Sequence, residues 1–187
     1  MRIFIAIELD KEIKKALSKI QDELKTTLVD VKWVEPENIH LTLKFLGEVE
    51  ENKITKISQI LKALSSQSEP FTIALCELGA FPNFKYPQVV WIGVSEGKTE
   101  FLKLAELIED SLAQLKFPKE KRGVSAHFTL GRFRSNKNTD ALSEKLNTIQ
   151  VPRLKQKIKS ISLFKSTLTP KGPLYEKISE KSLQGKC

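Results

Sequence analysis

Apolar residues along this chain follow two periods, and the switches between them outline the fold. Arg2 to Leu9 (RIFIAIEL) is rich in Ile and Phe, which predicts a central strand. Ile13, Ala16, Leu17, Ile20, Leu24 and Leu28 recur at helical spacing, with Asp10 as a candidate cap. VKWV predicts a short strand that Glu35-Pro36 breaks, and NIHLTLKFLGEV a strand of alternating character. Ile54, Ile57, Ile60, Leu61 and Leu64 mark a second helix, and SSQSEP (Ser65 to Pro70) a loop. FTIALCELGAF and QVVWIGVSE are further strands, separated by the Pro-, Asn- and Gly-containing GAFPNFKYP. A third helix is predicted from about Lys98 to Leu115, and FPKEKRG is a polar break. VSAHFTLGRF is the next strand, and a weaker, shorter helix follows near Thr139–Thr148. After Pro152, RLKQKIKSISLFKST and GPLYEKIS predict two final strands, and EKSLQGKC a loose end.

Strands and helices are mixed, and many links suit antiparallel neighbours. That predicts an α+β fold rather than a doubly wound parallel sheet. The two strands carrying His-x-Thr-Leu are each followed by a turn and a helix. Their separation is too long for a solenoid repeat and suits two similar lobes facing each other. No low-complexity segment or flexible interdomain linker stands out, so residues 1–187 read as a single bilobal domain.

Composition narrows the function. Hydrophobic residues are 40% and charged residues 29% of the chain, ordinary for a globular protein with a core to bury. The formal net charge of +8 favours polyanions or anionic small molecules as partners. Cys76 and Cys187 form neither a disulfide framework nor a zinc signature, which points to a reduced, cytoplasmic setting. The apolar N-terminus is too short for a signal sequence, and no stretch approaches the roughly 18 apolar residues that span a bilayer. Walker A and other Gly-rich nucleotide loops are absent from the sequence, which argues against ATP-driven chemistry. No nucleophile elbow or cluster of metal-ligating side chains appears, so no metal and no cofactor is expected.

The chain has only two histidines, and both lie in the same phrase, His40-Leu41-Thr42-Leu43 and His127-Phe128-Thr129-Leu130. With period-two alternation, His and Thr of each strand share one face and the apolar pair anchors the other. Two such strands across a groove would surround one space with two imidazoles and two hydroxyls. That set suits phosphodiester chemistry. One imidazole takes a proton from the attacking group and the other gives one to the leaving oxygen. The Thr42 and Thr129 hydroxyls can hold the phosphoryl oxygens.

These paired motifs resemble those of the two-histidine (2H) phosphoesterase superfamily. FIAIEL, VKWVEPENIHLTLKFLGEV, SAHFTLGRF and SLFKSTLTPKGPLYEKI are similar to the bacterial and archaeal RNA 2′,3′-cyclic phosphodiesterases, also called 2′-5′ RNA ligases. The resemblance spans nearly the whole chain in order. It implies a bilobal, pseudo-two-fold α+β fold, each lobe an antiparallel sheet backed by helices, with the active site in a central cleft. It also implies metal-independent opening of a 2′,3′-cyclic phosphate at an RNA end, tRNA fragments among the substrates, to leave a 2′-phosphate. A cytoplasmic monomer that does not associate with membranes is expected. The resemblance makes His40 the proton donor and His127 the acceptor, an order that the nearly symmetric motifs leave open. ATP-independent 2′-5′ ligation would be the reverse reaction at the same site. A non-catalytic module that binds RNA ends is the alternative.

Three further residues and one basic stretch are candidates for substrate contact or structure. The family's basic residue after the second motif corresponds to Arg132. Strict alternation turns Arg132 away from His127 and Thr129 unless the strand ends or bulges at Gly131. Lys44 is in phase with His40 and Thr42 and could touch an RNA backbone, or be a solvated Lys at a groove edge. Phe4 is either core or a base-stacking ring. Arg153, Lys155, Lys157 and Lys159 give one basic strand face, either an RNA guide or, the reading favoured here, an edge protected by charge.

Overall fold

The structure is a computed structural model that describes residues 1–121, 123–170 and 172–185. Its strands are β1 (Arg2–Glu8), β2 (Val31–Trp33), β3 (His40–Glu48), β4 (Phe71–Phe81), β5 (Val89–Val94), β6 (His127–Phe133), β7 (Lys155–Ile158), β8 (Ser160–Thr169) and β9 (Gly172–Ser182). The helices are α1 (Lys11–Lys25), α2 (Glu51–Gln67), α3 (Lys98–Ala113) and α4 (Thr139–Leu146). All strand pairings are antiparallel, and the order across the sheet is β7-β4-β5-β6-β3-β1-β8-β9, with β2 paired to β6. This is the α+β arrangement expected from the pattern.

The sheet reads as two four-stranded halves, β3-β1-β8-β9 and β6-β5-β4-β7, that meet where β3 pairs with β6. Along the chain the second half is inserted into the first, because β1 and β3 precede β4 to β7 whereas β8 and β9 return to β1. The basic stretch after Pro152 makes that crossing. It is two strands rather than one, with β7 on β4 and β8 on β1, parting at Lys159. Strand β7 lies at the sheet edge with Lys155 and Lys157 exposed, consistent with the charged-edge reading.

Helical spacing places Leu17, Leu24, Ile57, Leu61, Phe101, Ile108 and Leu142 against the sheet in one continuous core. Strand β1 is buried on both faces, which explains its unbroken apolar run. Ile3, Ile5 and Ile7 enter that core, and Phe4 and Ala6 join Phe164 in a small cluster on the other face. Other local expectations shift. Helix α2 continues through Gln67, so half of the Ser65–Pro70 segment is helical. Asp10 stands at the N-terminus of α1 without a side-chain cap bond. The C-terminal stretch is held rather than loose. Strand β9 reaches Ser182, Leu183 is buried, and the Gln184 and Gly185 amides donate to the Ser65 and Ser68 carbonyls. Lys186 and Cys187 lie outside the described residues, as do Arg122 of the polar break and Lys171.

Two β-bulges decide which side chains face the site. On β3, Thr42 pairs with Ala6 and Lys44 with Ile5, leaving Leu43 as the extra residue. On β6, Thr129 pairs with Trp91 and Gly131 with Val90, leaving Leu130 extra. Each bulge reverses the alternation beyond it. Lys44 and Gly131 therefore turn toward the helices, and Phe45 and Arg132 turn to the face of the histidines. Each bulge is met from below by a buried polar side chain. Glu109 of α3 takes the Lys44 ammonium at 2.6 Å, and the Pro118 carbonyl accepts from it as well. Gln21 of α1, 1% exposed, donates from Nε2 to the carbonyls of Val34 and of the bulged Leu130.

Candidate active site

Strands β3 and β6 touch through one register pair, Leu41 with Phe128. Both residues are completely buried and anchor the seam. An antiparallel pair centred there sets His40 across from Thr129 and Thr42 across from His127, all on the outer face. The four residues singled out by sequence are thus brought together, each imidazole beside the other strand's hydroxyl.

The two histidines are held alike. Nδ1 of His40 lies 2.7 Å from the Asn38 carbonyl, and Nδ1 of His127 lies 3.0 Å from the Ser125 carbonyl. A carbonyl only accepts, so each Nδ1 carries the proton and each Nε2 is left for chemistry. Both rings lean on aromatic walls. His40 sits 4.8 Å from the Phe4 ring and 5.4 Å from Tyr175, the latter edge-on. His127 is edge-on to Phe81 at 5.0 Å, and Phe81 stacks on Trp91 at 4.9 Å. Gly79 makes that stack possible, since a Cβ there would fall 2.2 Å from the Trp91 ring.

Burial disfavours the charged imidazolium. It pulls His40 from 6.5 to about 4, partly offset by the Asn38 carbonyl and reinforced by the charges of Lys14 and His127. His127 is lowered too, first by burial and further by Arg132, with the Ser125 carbonyl opposing. Burial raises the Tyr175 hydroxyl.

A groove of about 920 Å³ runs along this face. Its lining includes His40, Thr42, Phe45, Thr129, Arg132 and Tyr175, together with Lys25 at the end of α1, Lys32 of β2 and Arg134 just past β6. Arg132 faces the site because of the β6 bulge, which falls at Leu130, next to the expected Gly131. Gly131 supplies the required lack of bulk, as a Cβ there would lie 2.3 Å from Val31 Cγ1.

One expectation is corrected, and for Phe4 the core alternative holds. Lys44 does not reach the groove. The β3 bulge buries it to 4% exposure against Glu109, on the opposite face from His40 and Thr42. Phe4 is on the correct face but offers no surface for a base. It is 3% exposed under Phe164, Tyr175 and Phe45, and its role is to wall His40. The open ring on that side is Phe45, 64% exposed. Sequence reasoning missed Phe45 because of the bulge, and Tyr175, Phe81 and Trp91 because their strands carry no chemical signature of their own. Among the described residues, no group of three or more His, Cys, Asp or Glu side chains converges to hold a metal ion.

The family model for LigT like phosphoesterases matches this chain twice, over residues 7–91 and 92–175, one His-x-Thr-Leu phrase in each. The chain belongs to the LigT-like phosphoesterase family. An RNA 2′,3′-cyclic phosphodiesterase from Methanothermobacter thermautotrophicus is 38% identical over 176 residues, which cover 94% of this chain and 95% of that one. One from Aquifex aeolicus is 34% identical over 188 residues, covering 99% and 98%. The crystal structure of a Thermus thermophilus protein superposes with a TM-score of 0.84 at 28% identity, over all of both chains. Escherichia coli LigT complexed with 3′-AMP shares the fold, with a TM-score of 0.78 at 22% identity over 97% of each chain. Among the described residues, no helix is long and apolar enough to cross a membrane.

The contrast between the two phenylalanines is measurable by urea denaturation. Phe4→Ala should cost about 3 kcal/mol of unfolding free energy. Phe45→Ala should cost less than about 0.5 kcal/mol.

Proposed function

We propose that this phosphoesterase opens 2′,3′-cyclic phosphates at RNA ends, tRNA fragments included, to leave a 2′-phosphate and a free 3′ hydroxyl. The observation that carries the reading is the pair of imidazoles, each with Nδ1 engaged by a backbone carbonyl, no Nε2 hydrogen bond among the described residues, and a threonine directly across the strand pair. The relatives named RNA 2′,3′-cyclic phosphodiesterases, matched over nearly their whole length, support it.

In the proposed reaction, water attacks phosphorus and gives its proton to His127 Nε2. The bond from phosphorus to O3′ breaks, and the His40 imidazolium delivers the Nε2 proton to that oxygen. The order of the two histidines follows the family resemblance. Thr42 and Thr129 donate to the non-bridging oxygens, and Arg132 balances their growing charge. No step calls for a metal ion or ATP. If a 5′ hydroxyl attacks in place of water, the product is a 2′-5′ linkage, the ligation reaction at the same site. A monomer suffices, since the groove is lined by one chain.

The test is hydrolysis of an RNA bearing a 2′,3′-cyclic phosphate in EDTA, with product analysis. Wild type should yield the 2′-phosphate. His40→Ala and His127→Ala should each fall about 10²–10⁴-fold. Thr42→Ala and Thr129→Ala should each lose about 2–3 kcal/mol of transition-state stabilisation. Full activity in both histidine variants would refute the reading.

The pH dependence has a defined sign. The kcat/KM profile reports the free enzyme, which must carry a proton on His40 and none on His127. Both imidazoles are depressed, His40 to about 4, so kcat/KM should peak below pH 6.5 and decline toward alkaline pH. The kcat profile should lie at higher pH, because a bound phosphate anion favours the imidazolium. A kcat/KM that stays level from pH 6 to 9 would count against this assignment.

A further inference from the structure

The groove continues past the reacting centre as a row of cations. Lys32 on β2 is the register partner of Arg132 on β6. Directly opposed residues in an antiparallel pair project from the same face, so the two cationic side chains stand side by side. Arg134 lies two residues beyond Arg132 and keeps its phase, because its amide continues the ladder by donating to the Asp30 carbonyl. All three are exposed and line the same groove. None forms an ion pair among the described residues, whereas Lys25, which also lines the groove, is held by Asp22 at 2.8 Å. The groove lining includes one carboxylate, Glu35. The nearby Asp30 carboxylate is engaged by the Ser135 hydroxyl.

Like charges directly opposed across a strand pair oppose folding. Their placement in this groove, with no ion pair among the described residues, fits a bound anion. Arg134 lies about 7 Å along the strand from Arg132, on the scale of neighbouring phosphates in an extended RNA strand. A groove of about 920 Å³ is at the upper end of the ligand-pocket range and has room for more than a terminal nucleotide.

We propose that Lys32 and Arg134 bind the phosphodiester immediately upstream of the reacting cyclic phosphate, making an RNA end of at least two nucleotides the preferred substrate. The proposal rests on the cyclic phosphodiesterase reading above, and it places Arg132 on the reacting phosphate and the other two cations on its neighbour.

Steady-state kinetics on two substrates test it, a 2′,3′-cyclic mononucleotide and the dinucleotide ApA with a 2′,3′-cyclic phosphate end. Wild type should favour the dinucleotide in kcat/KM, with the preference shrinking as salt rises. Lys32→Gln and Arg134→Gln should each lower kcat/KM for the dinucleotide about tenfold, largely through KM, and change the mononucleotide less than twofold. Equal losses on both substrates, no loss on either, or no dinucleotide preference in wild type would overturn the proposal. Failure of wild type to open either substrate would instead refute the underlying activity.

Discussion

The site depends on two changes of phase in the sheet, each held by a polar side chain buried beneath it. A regular β3 would aim Lys44 into the groove, and a regular β6 would aim Arg132 out of it. Single extra residues, Leu43 and Leu130, reverse both outcomes. A bulge leaves backbone or side-chain polar groups facing the core, where an unpaired group is costly. Gln21 answers the Leu130 carbonyl, and Glu109 answers the Lys44 ammonium. The two devices occupy matching places in the halves and use different chemistry. The outward consequence differs too, an open Phe45 ring on one side and the Arg132 guanidinium on the other. A nearly symmetric scaffold thus acquires one apolar and one cationic wall.

The histidines are set by a different balance. Aromatic neighbours and the seam withdraw both imidazoles from water, and that withdrawal depresses both. The cost is limited because each neutral ring keeps one good bond through Nδ1. Such a pair is responsive to an arriving anion, whose charge offsets the penalty of protonation. Phe4 contributes as a wall, and its burial on a strand already covered on its other face explains why β1 carries no polar residue between Ile3 and Ile7.

Much of this was legible in the residues. Period-two and helical patterns located the strands and four helices, because the apolar faces are well separated from the polar ones. The phrase His-x-Thr-Leu, repeated with the chain's only histidines, marked the pair that the seam brings together. What alternation misread lies beyond each bulge, at Lys44 and Phe45. At Arg132, alternation needed the glycine beside it as a clue, and Gly131 proved to be the position with no room for a side chain. Bulges arise from pairing between distant strands, so no local window encodes them. Similarly, Lys159 reads as one more residue of a basic strand. Its break appears only because β4 and β1 claim the two sides.

The most direct test of this account concerns Arg132, which the β6 bulge alone turns toward the reactive centre. The measurement is kcat for cyclic phosphate opening by Arg132→Ala, with and without added guanidinium. A loss of about 10²–10³-fold, partly restored by guanidinium, is the predicted result. Activity within twofold of wild type would contradict it.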